Sequence, residues 1–132
     1  PFITIKLDAD GCHLGQKDMD IKNAKKILGK KIVGVTCHNS INLAKKAIKY
    51  KASYVAFGAF YLSRTKKTKY VASTNILNKV RNFTKTSIVA IGGINSKNYK
   101  NLLLNNANFL AISSYIWKNK KYKPLQAIER LK

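Results

Sequence analysis

Four carboxylates stand close together near the start of an acid-poor chain: Asp8, Asp10, Asp18 and Asp20, with Glu129 the fifth and last acid. Carboxylate oxygens are hard ligands, so this gathering is a candidate for holding a hard cation such as Mg2+. The plainer alternative makes Asp8 and Asp10 loop residues and Asp20 the N-cap of the next helix. A second candidate is Ser63-Arg64-Thr65-Lys66-Lys67, where two hydroxyls two apart precede consecutive ammonium groups. A third is Gly92-Gly93 after the apolar run Ser87 to Ile91, followed by Asn95 and Ser96, either of which can N-cap a helix. Glycine lets a ligand approach the backbone, and the free N–H groups of a following helix attract anions. That corner is a phosphate site or a plain tight turn. Cys12-His13 and Cys37-His38 raise zinc, but neighbouring residues on a strand point to opposite faces, so neither pair can chelate one ion. Ordinary reduced thiols in a cytosolic chain without a disulfide framework are expected.

The elements that must position these groups alternate along the chain. Gly11 to Gly15 reads as a short strand, and Ile21, Ala24, Ile27 and Leu28 recur at helical spacing until Gly29 stops the helix. The segment before Gly11 reads as irregular or β-like. Ile32 to Thr36 is the next strand, followed by a helix capped by Asn39 or Ser40 with Ile41, Ala44, Ala47 and Ile48 inward. Tyr54 to Gly58 is the third strand. From Ala59 to Ser73 periodicity disappears, over a connection longer than the usual two to six residues, which points to function. A helix with Ile76, Leu77, Val80 and Phe83 inward leads to the strand Ser87 to Ile91, and a further helix carries Tyr99, Leu102 and Leu103. Phe109 to Ser113 is the fifth strand, and a last helix carries Leu125, Ile128 and Leu131.

Five βα units in succession imply a parallel sheet with right-handed crossovers. Polar and glycine residues gather after each strand, at Gly15-Gln16, Thr36, Gly58, Gly92-Gly93 and Ser113-Ser114. That is the C-terminal edge, where barrels and open α/β sheets place their sites. Neither a Gly-x-Gly-x-x-Gly turn nor a Walker loop is present, which disfavours an open dinucleotide- or nucleotide-binding sheet. A (β/α)8 barrel fits better, although about 250 residues is typical of that fold. The 132 residues are therefore expected to be the C-terminal part of a single TIM-barrel domain, an incomplete barrel of about five βα units. Pro1 is not expected to be the natural start.

The net charge of +21 invites a nucleic-acid partner, yet arginine is confined to Arg64, Arg81 and Arg130 among 26 basic residues. Lys22, Lys25, Lys26, Lys45, Lys46 and Lys49 fall on outer helix faces, as solvated lysines do. No apolar run approaches the roughly 20 residues of a membrane span and no signal peptide is visible, so a soluble, cytoplasmic protein is expected.

With this order laid out, the chain resembles the thiamine-phosphate synthase family of (β/α)8 barrel enzymes. The likeness rests on Ala9 to Asp18, Gly34 to Asn39, Tyr54 to Gly58 with Ser63-Arg64-Thr65-Lys66, Val89 to Ile94, and Ser113-Ser114. It implies coupling of hydroxymethylpyrimidine diphosphate to a thiazole phosphate, with loss of pyrophosphate. On that resemblance Asp18 is a ligand of the Mg2+ on the diphosphate, and Lys66 is the catalytic cation that holds the departing pyrophosphate. Ser63 and Thr65, flanking Arg64, correspond to hydroxyls that contact the thiazole substrate. Thr36 corresponds to a hydroxyl lining the pyrimidine pocket. Gly93, Ser113 and Ser114 correspond to the thiazole phosphate site. The implied mechanism is dissociative, with a pyrimidine cation captured by the thiazole nitrogen, and requires no protein nucleophile.

The chain departs from the family pattern at Gly58-Ala59, where Gly-Pro is usual, and at Ser63, where threonine is usual. The family's pyrimidine-binding Gln/Arg/Lys cluster and an Asn-Asp pair lie before the matched region, so these 132 residues alone are expected to be inactive and to bind the diphosphate poorly. Two alternatives stand beside this one. A thiazole tautomerase would bind the thiazole phosphate without coupling, and a basic nucleic-acid-binding module would need a clustered cationic face.

Overall fold

The computed structural model describes residues 1–62 and 70–132. Five strands form one sheet: β1 (Gly11–Leu14), β2 (Ile32–His38), β3 (Tyr54–Phe57), β4 (Ser87–Ile91) and β5 (Phe109–Ala111). Each pairs in parallel with the next in sequence, giving the order β1-β2-β3-β4-β5. A doubly wound sheet reverses its order at a switch point, and this one never does. Crossovers of one hand between consecutive neighbours keep every helix on one side of the sheet. That winding, with one helical layer outside, is the arrangement of a partial (β/α)8 barrel.

The helices are α1 (Phe2–Lys6), α2 (Ile21–Leu28), α3 (Ile41–Lys49), α4 (Asn75–Arg81), α5 (Tyr99–Leu104), α6 (Ser114–Trp117) and α7 (Pro124–Glu129). Strand burial alternates as a sheet covered on one face requires. Val33, Val35, Cys37, Val55, Phe57, Ile88 and Ala90 are buried. They meet Ala24, Leu28, Ala44, Ala47, Leu77, Val80 and Leu102 from the helices in one core. The residues between them line the opposite face, where Ile32, Ile91 and Phe109 remain about half exposed.

Local signals explain the boundaries. Asp20 caps α2 by accepting from the Lys22 N–H at 2.9 Å, and Gly29 ends that helix at φ 55°. Of Asn39 and Ser40, it is Ser40 that caps α3, accepting from the Leu43 N–H at 3.3 Å. Phe83, expected to point inward, follows the end of α4 and is 41% exposed. Three further expectations are corrected. The start is helical, because Ile3, Thr4 and Ile5, whose branching favours strands, close i→i+4 bonds instead (Ile5 N–H to Pro1 O, 3.1 Å; Leu7 N–H to Ile3 O, 2.9 Å). The last helical stretch is two short pieces, α6 and α7, and only Ala127 of α7 is buried, while Leu125 and Ile128 face solvent. Asn95 and Ser96 do not cap α5, which begins at Tyr99 after a turn in which the Asn95 N–H donates to Asn98 Oδ1 at 2.8 Å.

Two leucines of α5 separate burial from composition. Leu102 is fully buried and Leu104 is 84% exposed. Leu102→Ala should cost about 2–5 kcal/mol in urea unfolding, whereas Leu104→Ala should stay within about 0.5 kcal/mol.

Candidate functional site

Parallel pairing brings the C-terminal ends of all five strands to one edge, and the polar residues gather there. The Gly92-Gly93 corner follows β4 with φ 102° and 63°, a region that favours glycine. Its nearest neighbour is the chain's own backbone. A Cβ on Gly92 would lie 2.3 Å from Ala59 Cβ, and one on Gly93 would lie 2.5 Å from the Leu62 carbonyl oxygen. The Phe60 N–H donates to Ile91 O (3.2 Å) and the Tyr61 N–H to Gly92 O (3.1 Å). The long β3–α4 connection is thus pinned across the glycines. Close backbone approach is real at this corner, and protein supplies it on one side.

The other side is open. Gly93 and Ser114 line a single cavity of about 780 Å3, whose walls also carry Lys97, Lys118, Lys121 and Arg130. Five cations, these four and Lys120, around a glycine corner and a serine suit an anionic group. Ser113 is the N-cap residue of α6 and is not among the residues lining this cavity. Tyr115, on its wall, has a buried hydroxyl with no hydrogen-bond partner among the described residues. Ser63, Arg64, Thr65 and Lys66 lie outside the described residues.

Asp18 sits apart from that cavity, after β1. It lines a smaller hollow of about 140 Å3 with Gln16, Asp20 and Lys46. Asp18 Oδ2 accepts the Gly15 N–H at 2.7 Å, which closes the turn and leaves Oδ1 for another partner. Two of the neighbouring acids are otherwise engaged. Asp20 caps α2 and pairs with Lys46 Nζ at 2.6 Å, while Asp8 pairs with Lys31 Nζ at 2.8 Å. Among the described residues no three His, Cys, Asp or Glu side chains come together as a metal cage. A single carboxylate oxygen suits Mg2+ only when phosphate oxygens and water complete its shell, which is how Mg2+ commonly binds.

Between these places lies a cluster on the sheet face opposite the helices. Register sets His13 beside Gly34 and Gly34 beside Tyr54. With no side chain at Gly34, the Tyr54 ring crosses it and stacks on His13, centroids 5.6 Å apart. A Cβ on Gly34 would fall 1.9 Å from Tyr54 Cζ. His13 Nδ1 lies 3.0 Å from the Tyr54 hydroxyl, and Nε2 lies 2.7 Å from Thr36 Oγ1. Gln16 Nε2 donates to the Thr36 carbonyl. Burial lowers the His13 pKa below 6.5, partly opposed by the Asp18 charge, and burial raises that of Tyr54. Both shifts favour the neutral forms. Sequence reasoning singled out Thr36 and missed His13, Tyr54 and Gln16. Reading Cys12-His13 only as a zinc pair hid the useful fact that His13 faces away from Cys12. Cys37, buried against the helices, has its thiol pushed up to about 12, in keeping with an inert core residue.

The Asp20 ties have a pH signature. The Lys46 hydrogen bond, then the Lys22 N–H, hold its carboxyl below the ordinary 3.8. A depressed folded-state pKa adds stability above the unfolded value, and that stability is lost as pH falls through the folded one. Asp20→Ala should cost about 1 kcal/mol near pH 7, mostly through the lost cap. The gap between variant and wild type should shrink below pH 4 when urea unfolding is compared across pH.

The thiamine monophosphate synthase family model matches residues 2–116. The thiamine-phosphate synthase of Pelagibacter ubique is 66% identical over all 132 residues, and that of Methanosarcina mazei 44% identical over 118. The alignments cover 64% and 48% of those relatives, and 100% and 86% of this chain. Among solved structures, the thiamine phosphate pyrophosphorylase of Pyrococcus furiosus superposes with a TM-score of 0.85 at 30% identity, covering 98% of this chain and 61% of that one. A 3-hexulose-6-phosphate synthase shares the fold at a TM-score of 0.69 and 17% identity, covering 98% and 63%. The chain thus spans about half to two thirds of the length of these relatives. It belongs to the thiamine monophosphate synthase family.

Proposed function

We propose that the chain forms the thiazole-phosphate and pyrophosphate side of a thiamine-phosphate synthase, within a single (β/α)8 barrel domain. The observation that carries this reading is the cavity in which Gly93 and Ser114 face five cationic side chains. A phosphate there would accept backbone N–H and Ser114 hydroxyl donors, and the surrounding charges would balance it. Ser113, next to Ser114 in sequence, is assigned to the same site on the family resemblance alone. This end anchors the thiazole substrate.

The bond that breaks is assigned to the other groups. Thr36 lines the pyrimidine side, and Asp18 would hold Mg2+, which would offset the diphosphate charge. Lys66 stabilises the negative charge that grows on the departing pyrophosphate, an electrostatic effect that ranks among the largest in catalysis. Ser63 and Thr65 hold the thiazole by their hydroxyls, with Arg64 between them. The pyrimidine carbon loses its C–O bond, and the thiazole nitrogen donates its electron pair to that carbon. A cytoplasmic location with small-molecule partners, and without specific nucleic acid or membrane, fits this chemistry. No helix among the described residues is long and apolar enough to cross a membrane.

Residues 1–132 alone should form no detectable thiamine phosphate. A chimera joining them to the part of the Pelagibacter ubique relative outside the match should form it in a Mg2+-dependent assay, and Lys66→Ala in that chimera should lower the rate about 10²-fold or more. An unchanged rate in the variant contradicts the role of Lys66.

A further inference from the structure

The Thr36 hydroxyl sits in a chain of contacts that fixes which way it can donate. His13 offers two ring nitrogens, and in the neutral ring one carries a proton while the other accepts. Nδ1 faces the Tyr54 hydroxyl at 3.0 Å and Nε2 faces Thr36 Oγ1 at 2.7 Å. A phenol O–H is a far better acid than a neutral imidazole N–H. The favoured pairing therefore has Tyr54 donating to Nδ1, which leaves the His13 proton on Nε2, pointing at Thr36 Oγ1. The Thr36 hydroxyl then accepts from His13, and its own proton is free to turn elsewhere. Its backbone carbonyl is occupied by Gln16, and no other described side chain accepts from Oγ1.

We propose that His13 is a positioning residue, held in its Nε2–H tautomer by Tyr54, and that it presents the Thr36 hydroxyl as a hydrogen-bond donor to an acceptor atom of the ligand. This rests on Thr36 lining the pyrimidine side of the proposed site. The ligand atom at Thr36 is then a lone-pair acceptor, a diphosphate oxygen or an unprotonated ring nitrogen, and not an amino group. Gly34 is part of the device, since only a residue without Cβ lets the Tyr54 ring reach over the strand. The ring stacking of Tyr54 on His13 fixes the imidazole plane as well as its proton.

Nitrogen-15 NMR of the imidazole-labelled chain reads the tautomer without any activity. The expected signature for His13 is a pyridine-type Nδ1 and a pyrrole-type Nε2 at neutral pH, moving to averaged shifts in Tyr54→Phe. His38 serves as the internal reference. A pyrrole-type Nδ1, or no change in Tyr54→Phe, overturns the proposal. Gly34→Ala is a second variant, expected to loosen the same signature by displacing Tyr54. The ligand half is read by titrating hydroxymethylpyrimidine diphosphate at millimolar concentration into the chimera with the Pelagibacter ubique segment, because residues 1–132 alone are expected to bind it poorly. Wild-type Nε2 should shift, and Tyr54→Phe should weaken binding about fivefold, the worth of one hydrogen bond. A tautomer as expected with no ligand-induced shift contradicts the assignment of Thr36 to the pyrimidine side. The wrong tautomer with binding intact overturns the positioning role and leaves that assignment standing.

Discussion

Parallel pairing of each strand with its next neighbour is the constraint from which the rest of this molecule follows. It sends every connection back across the same face, so one layer of helices covers Val33, Val55, Ile88 and their neighbours. It also sends every strand out at the same edge, so residues far apart in sequence become neighbours. Gly93 and Ser114 share a cavity because β4 and β5 run side by side in register. His13 and Tyr54 touch because β1 and β3 flank a glycine on β2.

Glycine works here by absence in two different senses. At Gly34 the missing side chain leaves room for a neighbouring ring, which turns an open patch of sheet into a hydrogen-bonded cluster. At Gly92 and Gly93 the missing side chains admit the chain's own connection, with Leu62 and Ala59 pressed against the corner. The corner therefore holds a loop on one side and faces a cationic cavity on the other. Both uses follow from strand geometry, and any added Cβ would meet backbone or a ring.

The alternation of the five βα units was legible because apolar periodicity is local, and so were the ends marked by Asp20, Gly29 and Ser40. The polar edge was legible too, since Thr36, Gly58, Gly92 and Ser113 each follow an apolar run. What the sequence hid depends on pairing. Nothing near His13 says that Tyr54 reaches it, because the contact passes over Gly34 and spans 41 residues. The helical start was hidden because Ile3 and Ile5 favour strands while their backbone bonds are satisfied within the segment. The shallow last helix was hidden because Leu125 and Ile128 repeat at helical spacing yet face solvent, leaving Ala127 to make the contact. Gly93 and Ser114 of the proposed phosphate site stood out by type, whereas the lysines and Arg130 around them come from three separate stretches that only the fold assembles.

The central claim is that the C-terminal edge between β4 and β5 receives a phosphate. Amide chemical-shift mapping with the thiazole phosphate, repeated with the dephosphorylated thiazole alcohol, tests it most directly. Shifts should concentrate at Gly93, Ile94, Ser114 and Tyr115, present with the phosphate and lost with the alcohol. Shifts of equal size with both compounds, or shifts confined to the Asp18 hollow, would contradict it.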